Sequence, residues 1–318
     1  MARAKKERLK KGNLFLPLIF SFGAVLEDLP LEVFCHDPTK VSNALRTIHE
    51  YFGTDGIFTY GDEQLLPACV GFLCGCPGST KVTPDRLCDV ENSLEDIFKH
   101  GRLPIALDVT KRLQILLPET LLAGLLTGPV TLATRLTGLS AAEVLMHPKL
   151  ISVSTKAALM FARALGDVGI DILIISEDTL PPLDADPARI LTRAYSPIWN
   201  TAAYYGYPAL LMLREFAREN VAPLRRIVDS LVFPANMEPE VWRQFRKVSF
   251  SIPVSLMERP PEEIVASLAR SGIGEAMGTS SLLLVTTDGE IPADVDKESM
   301  IRGVQAVRDH LRGTPAAA

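Results

Sequence analysis

Short apolar runs alternate with longer amphipathic segments along most of this chain. The runs Asp171–Ile175 and Ser281–Val285 are nearly continuous in Ile, Leu and Val, which is typical of strands buried on both faces of a parallel sheet. Alternation of such runs with helical segments predicts repeated βα units. Eight candidate strands result: Leu16–Phe20, Gly56–Tyr60, Leu121–Leu126, Asp171–Ile175, Ala209–Leu213, Ser230–Phe233, Lys247–Ile252 and Ser281–Val285.

Eight strands separated by helices fit one α/β domain, a (β/α)8 TIM barrel, better than an open sheet. Residues 72–118 form an excursion between the second and third strands, and we predict a hairpin and a helix around Arg86–Lys99 within it. The barrel domain spans residues 14–312, after a basic extension of helical character over 1–13 and before a flexible tail over 313–318. The other predicted helices cover about Pro38–Phe52, Pro148–Val168, Pro187–Tyr205 and Asp296–Leu311.

Composition and charge narrow the class of protein. The chain is 47% hydrophobic and 22% charged, which is enough for a large core, and its net charge of −5 gives no nucleic-acid footprint. No run of 18 apolar residues exists, so we expect no membrane span and a cytoplasmic protein. The basic start indicates a solvated helix, with a targeting segment or an anion-binding patch as alternatives; its cations are Arg3, Lys5, Lys6, Arg8, Lys10 and Lys11.

Polar residues follow the predicted strands, where TIM barrels carry their active sites. Carboxylates gathered in a cleft can act as acid, base or cation stabiliser, although a strand-end Asp can equally cap the next helix. The candidate catalytic residues are Asp62, Glu177, Asp178 and Asp288. The candidate substrate-binding residues are Ser21, Phe22, Tyr60, Thr131, Arg135, Arg214 and Asn236.

Three segments resemble the uroporphyrinogen decarboxylase superfamily. Gly128–Gly138 (GPVTLATRLTG) resembles its "G-P-[WF]-T-L" segment, Asp55–Gly71 its second strand and following helix, and Asp288–Ser299 its C-terminal "G-x-x-P" segment. They occur in family order across nearly the whole chain. The resemblance implies a TIM barrel and one of the family's activities: tetrapyrrole decarboxylation, zinc-dependent methyl transfer with corrinoid proteins, or related demethylation and dehalogenation.

The chain departs from the family's decarboxylases. Their "M-R-Q-A-G-R" segment supplies arginines that pair with substrate carboxylates, whereas the matching stretch Phe20–Leu26 has none. The family's tyrosine falls at Arg135 and its C-terminal histidine at Asp288, and the essential aspartate of strand two alone has a match, at Asp62. We therefore do not expect a uroporphyrinogen decarboxylase.

The chain also departs from the zinc methyltransferases, which resemble one another in an "H-x-C" after strand five and a Cys after strand eight. The matching positions read Leu213–Phe216 (LREF) and Thr287-Asp288, without histidine or cysteine. Because a thiol-activating zinc needs such ligands, we expect no metal at the usual zinc site.

The leading hypothesis is a methyltransferase component of a corrinoid- or pterin-linked demethylation system that acts on a small methylated substrate. The methyl carrier would be cobalamin on a partner corrinoid protein or tetrahydrofolate, with no tightly bound cofactor. One alternative is a decarboxylase of a tetrapyrrole-like carboxylate, with Arg135 and Arg214 as carboxylate clamps; another is a non-catalytic binding relative. We expect no nucleic-acid or membrane partner. A homodimer is one alternative for the oligomeric state, because family members often dimerise.

Four of the five cysteines fall close together, at Cys69, Cys74, Cys76 and Cys88. Four thiolates could hold zinc or an iron–sulfur cluster. The C-x4-C-x-C-x11-C spacing is not that of a standard finger, however, so we expect separate reduced thiols, with a metal cluster as the alternative.

Overall fold

A computed structural model describes residues 5, 7–10, 12–76, 81–228, 230–245, 247–277 and 282–313. Its strands are Gly12–Leu16 (β1), Gly56–Phe58 (β2), Leu121–Thr127 (β3), Ile172–Glu177 (β4), Ala209–Leu213 (β5), Ser230–Pro234 (β6), Lys247–Ile252 (β7) and Leu282–Thr287 (β8). They form one eight-stranded sheet in the order β1-β8-β7-β6-β5-β4-β3-β2.

The described strand pairs β1–β8, β2–β3, β4–β5, β6–β7 and β7–β8 are all parallel. The two end strands of the order, β1 and β2, also contact each other. With helices between successive strands, this is the (β/α)8 TIM-barrel fold, and the predicted fold class is confirmed. Lys5, Glu7 and Arg8 are helical ahead of β1, as predicted for the N-terminal extension.

The α-helices are Phe22–Leu26 (α1), Leu31–Phe34 (α2), Pro38–Phe52 (α3), Leu65–Leu73 (α4), Pro84–Asp89 (α5), Leu103–Leu116 (α6), Pro129–Thr137 (α7), Ala141–Leu145 (α8), Pro148–Asp167 (α9), Ala185–Tyr205 (α10), Val221–Ile227 (α11), Pro239–Trp242 (α12), Pro261–Ala269 (α13), Gly272–Ala276 (α14) and Lys297–Leu311 (α15). Short 3-10 helices cover Val90–Phe98, Arg218–Asn220 and Val254–Glu258. Among the described residues, none of the helices is both long and apolar enough to cross a membrane.

The first strand differs from its prediction. It covers Gly12–Leu16 rather than Leu16–Phe20, and it therefore begins inside the segment predicted to be an extension. Pro17 has no backbone N–H to donate to a ladder, and the strand ends just before it. The apolar residues Leu18–Phe20 are buried without belonging to a strand. An apolar run by itself does not separate a buried strand from a buried loop.

The excursion also differs from its prediction. The described residues 72–76 and 81–118 contain no strand, so the predicted hairpin is wrong for them, while 77–80 lie outside the described residues. The helix predicted around Arg86–Lys99 is in part α5 and in part the 3-10 helix Val90–Phe98. Helix α6 was not predicted at all. Residue Ser281 of the last predicted strand and residues 314–318 of the predicted tail also lie outside the described part.

The chain divides into two compact units. The first comprises Met1–Gly61, Arg112–Ala123 and Ser230–Ala318; the second comprises Asp62–Lys111 and Gly124–Asp229. Each has its own buried core, with Phe15, Phe233 and Phe250 fully buried in the first and Ile174 and Tyr195 in the second. The carboxyl ends of β3, β4 and β5 belong to the second unit, which therefore holds one set of candidate site residues by itself.

Candidate functional site

Six charged side chains gather at strand ends of the second unit, and we call them the strand-end cluster. Two acidic residues lie just ahead of α4, one arginine lies ahead of α6 and another on α7, and the last two residues directly follow β4 and β5. One guanidinium and one carboxylate form a pair, and two further arginines each contact the same two carboxylates. Its members are Asp62, Glu63, Arg102, Arg135, Asp178 and Arg214.

Arg135 is bound to Asp178 by two parallel hydrogen bonds. Its Nε donates to Oδ2 at 2.9 Å and its Nη2 to Oδ1 at 2.6 Å, while its Nη1 donates to the Glu63 carbonyl oxygen at 3.1 Å. Burial lowers the pKa of Arg135, but the hydrogen bonds and charge of Asp178, with Glu63, outweigh it and raise the pKa. Such a forked pair is geometrically strict, so Arg135 is a fixed cation held by the protein itself.

Arg214 is the more accessible cation of the same group. Its Nη2 donates to the Glu63 carboxylate, and its Nε lies 3.6 Å from Oδ1 of Asp178. Its side chain is 34% exposed and that of Asp178 is 37% exposed, whereas Glu63 is 16% exposed. Oε1 of Glu63 is buried and accepts no hydrogen bond from the described residues. A ligand that reaches this point would therefore meet Arg214 and Asp178 first.

Asp62 forms the second arm of the cluster. Its carboxylate pairs with the guanidinium of Arg102, and its Oδ1 accepts a hydrogen bond from the Gln64 backbone N–H at 2.8 Å. The two paired side chains are 14% and 20% exposed. Asp62 is thus fixed from two sides, and its Oδ2 is buried.

Glu177 lies next to this cluster in sequence but is completely buried. It accepts hydrogen bonds from the Val130 and Thr131 backbone N–H groups at 3.1 and 2.6 Å, and from the Tyr195 hydroxyl. Burial raises the pKa of Glu177, and these hydrogen bonds act in the opposite direction. The carboxylate therefore satisfies the N-terminus of α7, where unpaired N–H groups and the helix dipole favour an acceptor.

Thr131 joins α7 to β4. Its hydroxyl oxygen accepts a hydrogen bond from the Asp178 backbone N–H at 2.7 Å, and its side chain is 1% exposed. The N-terminus of α7 thereby sets the position of Asp178, and through it that of Arg135. The structure brings together six of the predicted residues: Asp62, Thr131, Arg135, Glu177, Asp178 and Arg214.

The remaining predicted residues belong to the first unit. Asp288 is exposed, and its Oδ1 accepts a hydrogen bond from the Val254 backbone N–H at 2.9 Å, at the start of the 3-10 helix Val254–Glu258. Asp288 therefore fixes the start of the short helix that follows β7, whereas the N-cap of the helix that follows its own strand β8 is Asp296. The Ser21 backbone N–H donates to the Glu290 carboxylate, and Asn236 is exposed beyond β6.

Tyr60 and Phe22 are both buried in the first unit. The Tyr60 hydroxyl donates to the Cys35 carbonyl oxygen at 2.8 Å, and its ring centroid lies 4.7 Å from that of Phe20. The Phe22 ring lies 5.8 Å from that of Phe52. These contacts are those of core side chains.

No protein-family model matches the sequence, and the search of curated proteins gives no match. Among solved structures, the chain is similar to a methyltransferase from Methanosarcina mazei, with a TM-score of 0.74 and 18% identity over 98% of this chain and 97% of the other. A D-psicose 3-epimerase from Clostridium cellulolyticum H10 has a TM-score of 0.45 and 10% identity over 86% of this chain and 93% of the other. At 18% identity the first likeness shows the TIM-barrel fold.

Two members of the strand-end cluster were not predicted from the sequence. Glu63 is adjacent to Asp62 in the loop between β2 and α4, so its position was a usable signal. Arg102 lies in the excursion, forty residues beyond its partner Asp62, and no motif marks it. Only the three-dimensional packing of the second unit identifies it.

The four clustered cysteines are free thiols. Within the part of the chain that the structure describes, no group of three or more His, Cys, Asp or Glu residues is placed to hold a metal ion. Burial raises the pKa of Cys69 and of Cys88, and burial with the neighbouring Cys76 raises that of Cys74 to about 11. Thiols with raised pKa values are poor nucleophiles.

We expect Cys74 of the folded protein to react slowly with iodoacetamide at pH 8, because its raised pKa leaves little thiolate. Between pH 7 and 9.5 its rate should rise about tenfold per pH unit. Peptide mass spectrometry would give the rate at each cysteine, with the half-buried Cys88 and the urea-unfolded chain as references. Rapid labelling of Cys74 at pH 8 in the folded protein would contradict this assignment.

Proposed function

We propose that this chain is an enzyme of the uroporphyrinogen decarboxylase superfamily, a methyltransferase that removes a methyl group from a small polar substrate. The methyl acceptor is the cobalamin of a partner corrinoid protein or tetrahydrofolate. The observation that carries the proposal is the likeness to the Methanosarcina mazei methyltransferase over 98% of the chain. The match of Asp62 to the essential aspartate of strand two supports membership of the superfamily, and not methyl transfer in particular.

The residues do not fit a zinc ion at the family's usual site. Arg214 and Glu215 follow β5, and Asp288 follows β8, where thiolate and imidazole ligands would be required. Substrate activation through zinc is therefore not part of the proposal. The chain's own ion pairs provide the binding and the electrostatics.

The strand-end cluster suits a small substrate that carries charge. Arg214 and Arg102 are partly exposed cations that orient an anionic group, while Asp62 and Asp178 face a cationic or hydrogen-donating group. Each is held by a protein partner before any ligand arrives. Such preorganised charges act on the reacting centre without a reorganisation cost. Glu177 is a positioning residue, because it fixes α7 and hence Thr131 and Asp178.

The test is an anaerobic absorbance assay with methylcobalamin, and separately with cob(I)alamin plus methylated amines, ethers and thiols. We expect interconversion of the two cobalamin spectra, and a fall of about a hundredfold or more in its rate in Asp62→Asn, since a positioned charge or proton-transfer group contributes that much. Asp186→Asn is the matched control, because Asp186 is an exposed carboxylate of the same unit and forms an ion pair with Arg189, three residues further along its helix. Its rate should equal that of the wild type.

Equal rates in Asp62→Asn and the wild type, with both folded, would overturn the assigned site. Absence of any spectral change would favour a second candidate, a decarboxylase, which the exposure of Arg214 and Arg102 supports. In that case carbon dioxide release from a carboxylated substrate should depend on Arg214. Arg135 is less suited to that role than Arg214 because its guanidinium is already bound to Asp178.

A further inference from the structure

A cavity of about 650 Å³ lies in the first unit, at the amino ends of strands. Its wall includes Gly12–Leu14 at the start of β1, Asp55 just ahead of β2 and Glu119 just ahead of β3. Catalysis in TIM barrels takes place at the carboxyl ends of the strands, so the proposed function does not account for this cavity. Its volume is in the range of about 300–1,000 Å³ that is usual for small-molecule sites.

Two of the three arginines in this wall share one carboxylate. Nη2 of Arg312 lies 2.9 Å from Oδ1 of Asp55, and Nη2 of Arg8 lies 2.9 Å from the Asp55 carbonyl oxygen and 3.4 Å from Oδ1. Oδ2 of Asp55 accepts a hydrogen bond from the Phe15 backbone N–H at 3.0 Å. Asp55 is therefore a buried anchor that holds Arg8 and Arg312 at the rim of the cavity.

The third arginine, Arg308, has no such anchor. Its Nε is buried and forms no hydrogen bond, and no carboxylate among the described residues lies within 4 Å of its guanidinium. Its Nη1 packs against Gly53, where a Cβ atom would lie only 2.7 Å away. Burial, followed by the charge of Arg312, lowers the pKa of Arg308. The charges of Asp55 and Asp309 act in the opposite direction without reversing this shift. A half-buried guanidinium with no directly paired carboxylate among the described residues costs free energy that a bound anion would recover.

The remaining groups of the wall leave the positive charge in excess. Asp55 and Glu119 are the two acidic residues among those lining the cavity, against three arginines. His49 lies between the hydroxyls of Thr54 and Thr120, 3.3 and 2.9 Å from its ring nitrogens, and burial lowers its pKa, so it is neutral at neutral pH.

We propose that this cavity binds a small phosphate-bearing molecule, whose phosphate contacts Arg308 and Arg312 while Arg8 closes the rim. Guanidinium forks match the oxygens of a phosphate group and bind it through charge-assisted hydrogen bonds. Arg308 and Arg312 are four residues apart at the end of α15, so both guanidiniums reach the same volume. The molecule is either inorganic phosphate or a phosphate monoester.

Calorimetric titration of the full chain with inorganic phosphate, and separately with adenosine 5′-monophosphate, tests the proposal at constant ionic strength. We expect binding, and a dissociation constant at least about tenfold weaker in Arg308→Gln, because a hydrogen-bonded charge is lost. Arg302→Gln is the matched control, since Arg302 lies on the same helix but is exposed and pairs with Glu298. It should bind as the wild type does. Tighter binding of the monoester would identify the ester as the ligand class, and equal binding would identify phosphate itself.

The melting temperature of ligand-free Arg308→Gln is an independent test of the proposal. Because no carboxylate of the described residues pairs directly with Arg308, Arg308→Gln should melt at the same temperature as the wild type or higher, while losing the rise in melting temperature that the ligand causes. A residue with a purely structural role would instead lower the melting temperature when removed. Absence of binding of both probes to the wild type, equal binding by Arg308→Gln, or clear destabilisation of that variant would each overturn the proposal.

Discussion

Replacement of Glu177 by alanine should lower the free energy of unfolding by about 4 kcal/mol, the largest effect that we expect from one substitution. The carboxylate is fully buried and is the acceptor for two backbone N–H groups at the start of α7 and for the Tyr195 hydroxyl. Its removal leaves three buried donors without an acceptor, at about 1–3 kcal/mol each before relaxation, and opens a cavity. Urea unfolding of wild type and variant would measure the difference.

Two further variants separate the causes of that loss. Tyr195→Phe removes one hydrogen bond and should cost less than Glu177→Ala, while Glu262→Ala, at an exposed carboxylate of α13, should change stability by less than about 0.5 kcal/mol. Because burial raises the pKa of Glu177 above its ordinary 4.5, its ionisation costs more free energy in the folded chain than in the unfolded chain. The wild type should therefore lose stability relative to Glu177→Gln as the pH rises above about 4.5. If Glu177→Ala changes the free energy of unfolding by less than about 0.5 kcal/mol, as expected of an exposed residue, the assigned burial of Glu177 is wrong.

Replacement of Gly128 by alanine should cost about 3 kcal/mol, although the backbone there suits any residue. Gly128 has φ −67° and ψ 158°, which is ordinary extended backbone. An added Cβ, however, would lie 2.7 Å from Cγ of Glu177 and closer still to its carboxylate. Glu177 cannot move away without losing its hydrogen bonds. The added methyl group therefore strains the packing of the whole junction between β3 and α7.

Gly274→Ala is the matched control for this steric argument. Gly274 lies in helix α14, and the nearest atom to an added Cβ would be 3.6 Å away, at ordinary contact distance. Alanine should be neutral or stabilising there by up to about 1 kcal/mol, because it favours helix over the unfolded chain. If Gly128→Ala unfolds at the same urea concentration as the wild type, the close approach of Glu177 to residue 128 is wrong.

Local sequence signals determined much of the fold. Strands β5 and β7 and helix α3 begin and end at the predicted residues. Both ends of helix α3 are capped by residues next to it in sequence. At its start the Asp37 side chain accepts hydrogen bonds from the Thr39 and Lys40 backbone N–H groups, and at its end Gly53 adopts a left-handed φ of 56°. Periodicity and caps involve neighbours in sequence, and a pattern of residue types is sufficient to predict them.

The tertiary structure decided which candidate site residues are buried, which are exposed and which charges pair with one another. Glu177 and Asp178 are adjacent carboxylates and equivalent candidates in the sequence, yet Glu177 is enclosed beneath α7 while Asp178 is partly exposed and bound to Arg135. The partner of Asp62 is Arg102, supplied by the excursion whose helices were largely unforeseen. Successive strand residues point in opposite directions, and partners distant in sequence meet only when the chain packs. The sequence by itself therefore determined the barrel and the charged strand ends, whereas packing decided which charge is buried and which is available to a ligand.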